Sequence, residues 1–137
     1  MVYLLDEGSV FDAPIEKVWK YLSSENHRHP SLSNVGREVS GNVVIITSER
    51  TFMGKPVKVK IKNTLYPPFG YVSEHLDGPT AGSRSFLYYT PNGDRTGVTV
   101  VGDFMVSGLD EKATRDAVLA QMQVTFDEDN ANLKRMK

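Results

Sequence analysis

The sequence contains no cysteine, which excludes disulfides, thiolate metal sites and cysteine nucleophiles. No apolar run approaches the roughly 18 residues of a membrane-spanning helix, and the N-terminus has neither a basic region nor an extended apolar stretch. A soluble cytoplasmic protein is expected. Neither sign of charge dominates: 16 Lys and Arg stand against 17 Asp and Glu, a formal net charge of −1. The basic footprint of a nucleic-acid binder is therefore missing. There is no Gly-rich phosphate loop, no G-x-S-x-G elbow and no H-E-x-x-H, so the common nucleotide-binding and hydrolase signatures are absent.

What is present is an ordinary globular composition, 39% hydrophobic and 24% charged over 137 residues, without low-complexity runs. One domain spanning 1–137 is expected, able to bury about two-thirds of the surface of its unfolded chain. The stretch that organises it is the last one, Glu111 to Lys137. Asp110 is a candidate N-cap, Glu111 and Asp116 lie near the positive end of the helix dipole, and Lys134, Arg135 and Lys137 lie near the other end. At 100° per residue, Val118, Leu119, Met122, Phe126, Leu133 and Met136 fall in one stripe, predicted to be buried. Ala113, Ala117, Ala120, Val124 and Ala131 form a small-residue set on the nearly opposite side. Such a helix is roughly 40 Å long and needs something broad beneath it, and only a sheet qualifies.

The rest of the chain supplies that sheet. Val2 to Phe11 reads as a strand with a bulge at Gly8, and Asp12-Ala13-Pro14-Ile15-Glu16 opens a helix of about ten residues, with Ile15, Val18, Trp19 and Leu22 on its apolar face. The polar stretch from Glu25 to Asn34 is a loop or a second short helix. Strands follow over Val35–Ser40, Val43–Met53, Val57–Leu65, Tyr71–Asp77, Ser83–Thr90 and Thr96–Val106, separated by Gly41-Asn42, Gly54-Lys55-Pro56, Pro67-Pro68, Gly78-Pro79 and Pro91-Asn92-Gly93-Asp94. Val57, Val59, Ile61 and Leu65 alternate with Lys58, Lys60, Lys62 and Thr64, so one face of that strand is buried and the other wet. Short hairpin connections require antiparallel pairing. The class is α+β: a curved antiparallel sheet of six or seven strands gripping the long C-terminal helix, with two short helices after the first strand.

This order, together with Phe11-Asp12-Ala13-Pro14-Ile15-Glu16-Lys17-Val18-Trp19 and with Thr96-Gly97-Val98-Thr99-Val100 before Gly102-Asp103-Phe104, resembles the START-like or Bet v 1-like helix-grip superfamily (SRPBCC). The polyketide cyclase/dehydrase and coenzyme Q-binding groups belong to it. The resemblance spans essentially the whole chain, but its motifs are structural. It implies a cavity between helix and sheet that admits a small hydrophobic ligand such as a lipid, an isoprenoid or a polyketide-like molecule. Fold alone does not choose between carriage and catalysis there.

The side chains expected to line this cavity are Ile61, Asn63 and His75 on the middle strands, Leu87, Tyr89, Val100 and Phe104 on the last two, and Leu119 and Met122 on the helix. His27 and His29 are placed at its mouth, beside the Pro67-Pro68-Phe69-Gly70 turn and the start of the long helix. His27-x-His29 has three readings: solvated loop residues, contacts for a ligand's polar head, or two imidazoles of a metal site. The last needs a third ligand from elsewhere, since neither Glu25 nor Asn26 completes a recognised pattern. Asn63 interrupts an inward apolar series, so it either faces a polar partner or ligand, or sits at the rim with water. Glu74 and His75 point to opposite faces and cannot form a dyad without a bulge. Lys58, Lys60 and Lys62 read as a solvated outer ridge.

No catalytic residue, metal or cofactor is assigned, and homodimerisation is left open. The favoured function is non-catalytic binding or carriage of the hydrophobic ligand, because the assignable inward positions are mostly apolar. The alternative is a cyclase- or dehydratase-like enzyme acting on a hydrophobic substrate through His75, Tyr89, Asn63 or Arg84.

Overall fold

In the computed structural model, which describes residues 1–24, 27, 29, 32–52 and 54–136, β1 (Val2–Phe11) leads into α1 (Ile15–Leu22). Six further strands follow: β2 (Leu32–Ser40), β3 (Val43–Phe52), β4 (Lys55–Tyr66), β5 (Gly70–His75), β6 (Arg84–Asn92) and β7 (Arg95–Phe104). The chain then forms α2 (Glu111–Arg135). All seven strands form one antiparallel sheet in the order β1-β7-β6-β5-β4-β3-β2. Every neighbouring pair except β1-β7 is joined directly along the chain. The first strand therefore closes beside the last, and the chain leaves β7 straight into the helix. Met53 and Lys137, assigned to a strand and to the helix in the sequence reading, lie outside the described residues, as do Glu25 and Asn26.

The expected bulge in β1 is present: pairing with β7 shifts register between Asp6 and Ser9, around Gly8 at φ 92°. Strand boundaries shift by one or two residues, Lys55-Pro56 and Pro91-Asn92 lying in β4 and β6 instead of turns and β5 and β7 ending at His75 and Phe104, and the largest difference is at the second proposed helix. Leu32–Asn34 open β2 instead, while residues 25, 26, 28, 30 and 31 lie outside the described ones, leaving α1 as the short helix seen among those that are described. Pro14 is not the first helical residue but the cap, in extended conformation at ψ 157°. Thr96, fully buried, fastens this entry by donating from Oγ1 to the carbonyl of Ala13 at 2.7 Å.

The core has two parts on the concave face. Phe11, Ile15, Val18, Tyr21, Tyr89, Val98 and Leu133 form the larger, with Phe126 and Met136 packed against it; Val2, Leu4 and Phe104 form the smaller, with Val100, Val118 and Met122 against it. The expected helix stripe is thus buried at Leu133 and partly buried at Val118, Met122, Phe126 and Met136, which pack against the two core clusters, but it is open at Leu119, which is 38% exposed. Leu119 lies about 100° beyond Val118 around the helix, on the far edge of the stripe, and the sheet does not reach it. Asp110 caps α2 as expected, accepting a hydrogen bond from the amide of Ala113 at 2.8 Å.

The period-two reading of β4 holds in its consequences. Val59 is buried, while on the other face Lys58 and Lys62 reach Glu49 and Glu74 at 3.6 and 3.9 Å. The Lys60 side chain makes no ion pair among the described residues, and the hydrogen bond at this position comes from its backbone amide to Asp77. Lys60→Gln is expected to change unfolding free energy by no more than about 0.5 kcal/mol in urea titration, as for an ordinary surface site.

Candidate functional site

Helix α2 is held against β1 and β7, and beside it the sheet curves away. The inward positions of β3 and β4 follow from register: Val44 faces Asn63, Ile46 faces Ile61, Ser48 faces Val59 and Arg50 faces Val57. On β5 the same face continues through Tyr71, Ser73 and His75, opposite Leu65, Asn63 and Ile61. Two hollows lie over this surface, divided between Ile61 and Asn63.

The larger, about 470 Å³, is bounded by Arg50, Val59, Ile61, His75, Thr80, Ser83 and Phe104 on the sheet side. Ala117, Ala120, Gln121, Met122, Val124 and Thr125 of α2 close the other side. The small-residue side of the helix is therefore the side that leaves room. This volume is in the range of small-molecule sites, and most of its lining is apolar.

On the sheet side its polar groups are Arg50, Thr51, His75, Thr80 and Ser83. His75 Nδ1 lies 2.6 Å from Thr80 Oγ1. Burial, and then the charge of Arg50, push the His75 pKa down to about 4, so the ring is neutral at physiological pH. Arg50 is itself partly desolvated, which lowers its pKa, and its Nε is buried with no hydrogen-bond partner among the described residues. Among the described residues, no carboxylate lines the cavity. The Nε of a cationic group thus faces an apolar hollow with no acceptor among the described residues, the situation in which an anionic or oxygen-bearing ligand replaces the lost hydration.

The smaller hollow, about 170 Å³, lies under the end of α1, among Trp19, Leu22, His27, Arg37, Val44, Asn63 and Tyr71. Asn63 does face inward, and its polar partner is Ser73, whose hydroxyl donates to Asn63 Oδ1 at 2.8 Å. Burial drives the Tyr71 pKa upward, keeping the phenol neutral.

Between this hollow and the C-terminal half of α2, His27 and His29 meet Asp129. His27 Nε2 and His29 Nε2 lie 3.5 and 3.3 Å from Asp129 Oδ1 and 3.2 Å from each other. Tyr21, fully buried, donates to the same Oδ1 at 2.5 Å and accepts from Asn132 Nδ2 at 3.1 Å. Burial raises the Asp129 pKa, partly opposed by both imidazoles and the Tyr21 hydrogen bond. Burial lowers the His27 pKa, against the pull of Asp129. The Tyr21 hydroxyl is held well above its usual range by burial and by its bond to Asp129.

The residues expected around one cavity are thus divided. Ile61, His75, Phe104 and Met122 line the larger hollow; His27 and Asn63 line the smaller; and His29 joins the Asp129 cluster. Tyr89 lies in the closed core with Leu87 packed against it, Val100 packs against the smaller core cluster, and Leu119 borders neither hollow. The expected opening also differs. The two histidines meet the late part of α2, whereas its middle, Ala117 to Thr125, borders the larger hollow over Val59 and Ile61 of β4. Among the charged strand residues, Arg50 points inward. Arg84 instead pairs with Asp103 at 3.2 Å and Glu74 with Lys62, on the outer face.

Two groups were missed as site residues, and both carried a signal. Arg50 sits at a period-two position with Val44, Ile46 and Ser48. Asp129 lies at i+3 from Phe126 and i−4 from Leu133, inside the apolar stripe of the helix. A charge at an inward position implies a partner or a ligand.

No family model matches the sequence, and no curated protein matches it either. Solved structures do. The Zhui aromatase/cyclase from a Streptomyces species superposes with a TM-score of 0.75 at 13% identity, covering 97% of this chain and 94% of that one. One half of the di-domain ARO/CYC StfQ from the steffimycin biosynthetic pathway gives 0.79 at 13% identity, covering 97% of this chain and 51% of that protein. Ara h 8.0201 gives 0.73 at 12% identity, covering 98% of both chains. With seven strands in one curved antiparallel sheet, a short helix after the first and a long helix after the last, the chain has the helix-grip, Bet v 1-like fold that these aromatase/cyclases and Ara h 8 share.

Proposed function

We propose that this protein binds or carries a small, largely apolar molecule in the larger hollow between α2 and the β3–β4 side of the sheet, with an anionic or carbonyl-bearing end directed at Arg50. The observation that carries this reading is the buried Arg50 Nε, which lines an apolar cavity of about 470 Å³ and has no acceptor among the described residues. Thr80, Ser83 and neutral His75 add hydrogen-bonding capacity at the same end. Lipids, isoprenoids and polyketide-like molecules all combine an apolar body with an oxygen-rich end, and all remain within the class.

The enzymatic alternative, a cyclase or dehydratase in the same cavity, needs convergent acid and base groups. Of the residues suggested for it, Arg84 is on the outer face, Asn63 is bonded to Ser73 and Tyr89 is in the closed core, leaving His75. Binding is therefore the reading preferred here.

The test is a fluorescence titration with a paired set of apolar probes, one carrying a sulfonate or carboxylate and one uncharged. Wild type is expected to bind one probe per chain. Ala120→Trp, which fills the cavity from the helix, is expected to weaken both by about tenfold or more while the far-ultraviolet circular dichroism is unchanged. Arg50→Met is expected to weaken the anionic probe alone, by about 10- to 100-fold, the worth of a hydrogen bond to a charged group. A folded wild type that ignores both probes would remove the binding reading. An Arg50→Met protein that binds both as well as wild type would remove the anionic end.

A further inference from the structure

The cluster of His27, His29 and Asp129 lies apart from the larger hollow, and its geometry is independent of the ligand proposed above. Three atoms able to act as metal donors converge: His27 Nε2, His29 Nε2 and Asp129 Oδ1, at mutual separations of 3.2, 3.3 and 3.5 Å. Donors bound at about 2.1 Å to one ion lie about 3.0 Å apart along an octahedral edge and about 3.4 Å apart along a tetrahedral one. The observed triangle matches one face of such a coordination shell. The three side chains are mostly shielded, at 29, 13 and 18% exposure.

The groups behind the triangle fit the same reading. His27 Nδ1 lies 3.0 Å from the carbonyl oxygen of Leu22, an acceptor only, so Nδ1 carries the hydrogen and the Nε2 lone pair points into the cluster. Asp129 is oriented by Tyr21, which is oriented in turn by Asn132. His29 Nδ1 is buried without a hydrogen-bond partner, 3.7 Å from Glu128 Oε1. In a neutral His29 that donated from Nε2 to its neighbours, Nδ1 would turn a lone pair toward that carboxylate. If Nε2 instead gives its lone pair to a cation, Nδ1 carries the hydrogen and faces Glu128, the usual carboxylate support behind a metal-bound histidine.

We infer that His27, His29 and Asp129 form a binding site for a divalent first-row transition ion. Two imidazoles with one carboxylate suit zinc, iron(II) or cobalt(II) rather than calcium or magnesium, which take oxygen shells, or copper(I), which takes sulfur. Three protein ligands leave at least one coordination position open. The smaller hollow, which His27 also lines, provides room there for water or a ligand oxygen. The third ligand comes from the far end of the chain, about 100 residues from the histidines.

Cobalt(II) is the probe of choice, because its ligand-field absorption and paramagnetic shifts report the donor set directly. One ion per chain is expected, displaced by zinc(II), with two hyperfine-shifted, solvent-exchangeable ring N–H resonances from His27 and His29. His29→Ala and Asp129→Asn are each expected to lower affinity by about 100-fold or more. Glu128→Gln, behind the first ligands, is expected to lower it by about tenfold. His75→Ala, in the other hollow, is expected to leave it unchanged. Should Asp129→Asn unfold the domain by stranding Tyr21, the resonances of the wild type still decide the matter. Absence of a stoichiometric cobalt complex in the wild type, or cobalt binding that survives His29→Ala at full strength, overturns the site and shows the cluster to be held by protons alone.

Discussion

Gly70→Ala is expected to lower unfolding free energy by about 2 to 6 kcal/mol, seen as an earlier urea midpoint. Two costs combine. Gly70 opens β5 at φ 141°, outside the region an L side chain adopts readily, and such strain costs about 1 to 3 kcal/mol. A methyl group there would also fall 1.9 Å from the carbonyl oxygen of Leu87 and 3.0 Å from its carbonyl carbon. Those are backbone atoms of the neighbouring strand, which cannot swing aside as a side chain can, and displacing packed structure costs about 1 to 3 kcal/mol more. Gly93→Ala is the control: its φ is also positive, at 63°, but nothing lies within 4 Å of the added carbon. It should pay only the conformational part. Equal losses at the two positions would mean that β5 and β6 do not approach as described.

The second large effect is expected at Phe126, where replacement by Ala should cost about 3 kcal/mol, the lower end of the range for a buried phenylalanine because the ring is only partly covered. Its ring stacks on Phe11, with centroids 4.8 Å apart and planes 7° from parallel. Phe11 is 3% exposed and belongs to the larger core cluster, so removal of Phe126 opens that cluster where the helix meets β1. A cycle with Phe11→Leu should return a coupling of about 0.5 to 1.5 kcal/mol, the extra worth of an aromatic pair beyond its area. A loss below about 1 kcal/mol for Phe126→Ala would place the ring on the surface and detach this part of α2 from the sheet.

Both effects rest on packing that sequence alone signals unequally. Phe126 was legible, because a helix in contact with a sheet must bury its large-residue stripe, and Phe126 lies in the middle of that stripe. Gly70 was read only as part of a turn. Its close approach depends on how tightly β5 and β6 are drawn together, a property of the assembled sheet. Arg50 stands in sequence at a period-two position with Val44 and Ile46, but that its Nε has no acceptor among the described residues is decided only once the neighbouring strands and the helix are placed. Leu119 shows the converse. Angular spacing put it with Val118 and Met122, yet the sheet covers only part of the arc that spacing allows.

Element order, antiparallel pairing, the bulge at Gly8, the cap at Asp110 and most of the sheet-facing stripe of α2 follow from the sequence itself, because each depends on neighbours a few residues away: period two or 3.6, turn chemistry and caps. The division of the interior into two hollows, the isolation of Arg50 and the meeting of His27 and His29 with Asp129 were decided only by tertiary structure. These depend on where a long helix settles across a curved sheet. Asp129 is about 100 residues from the histidines along the chain, and no local periodicity encodes that distance. It is the closure of β1 beside β7 that carries α2 back across the sheet to the end of α1.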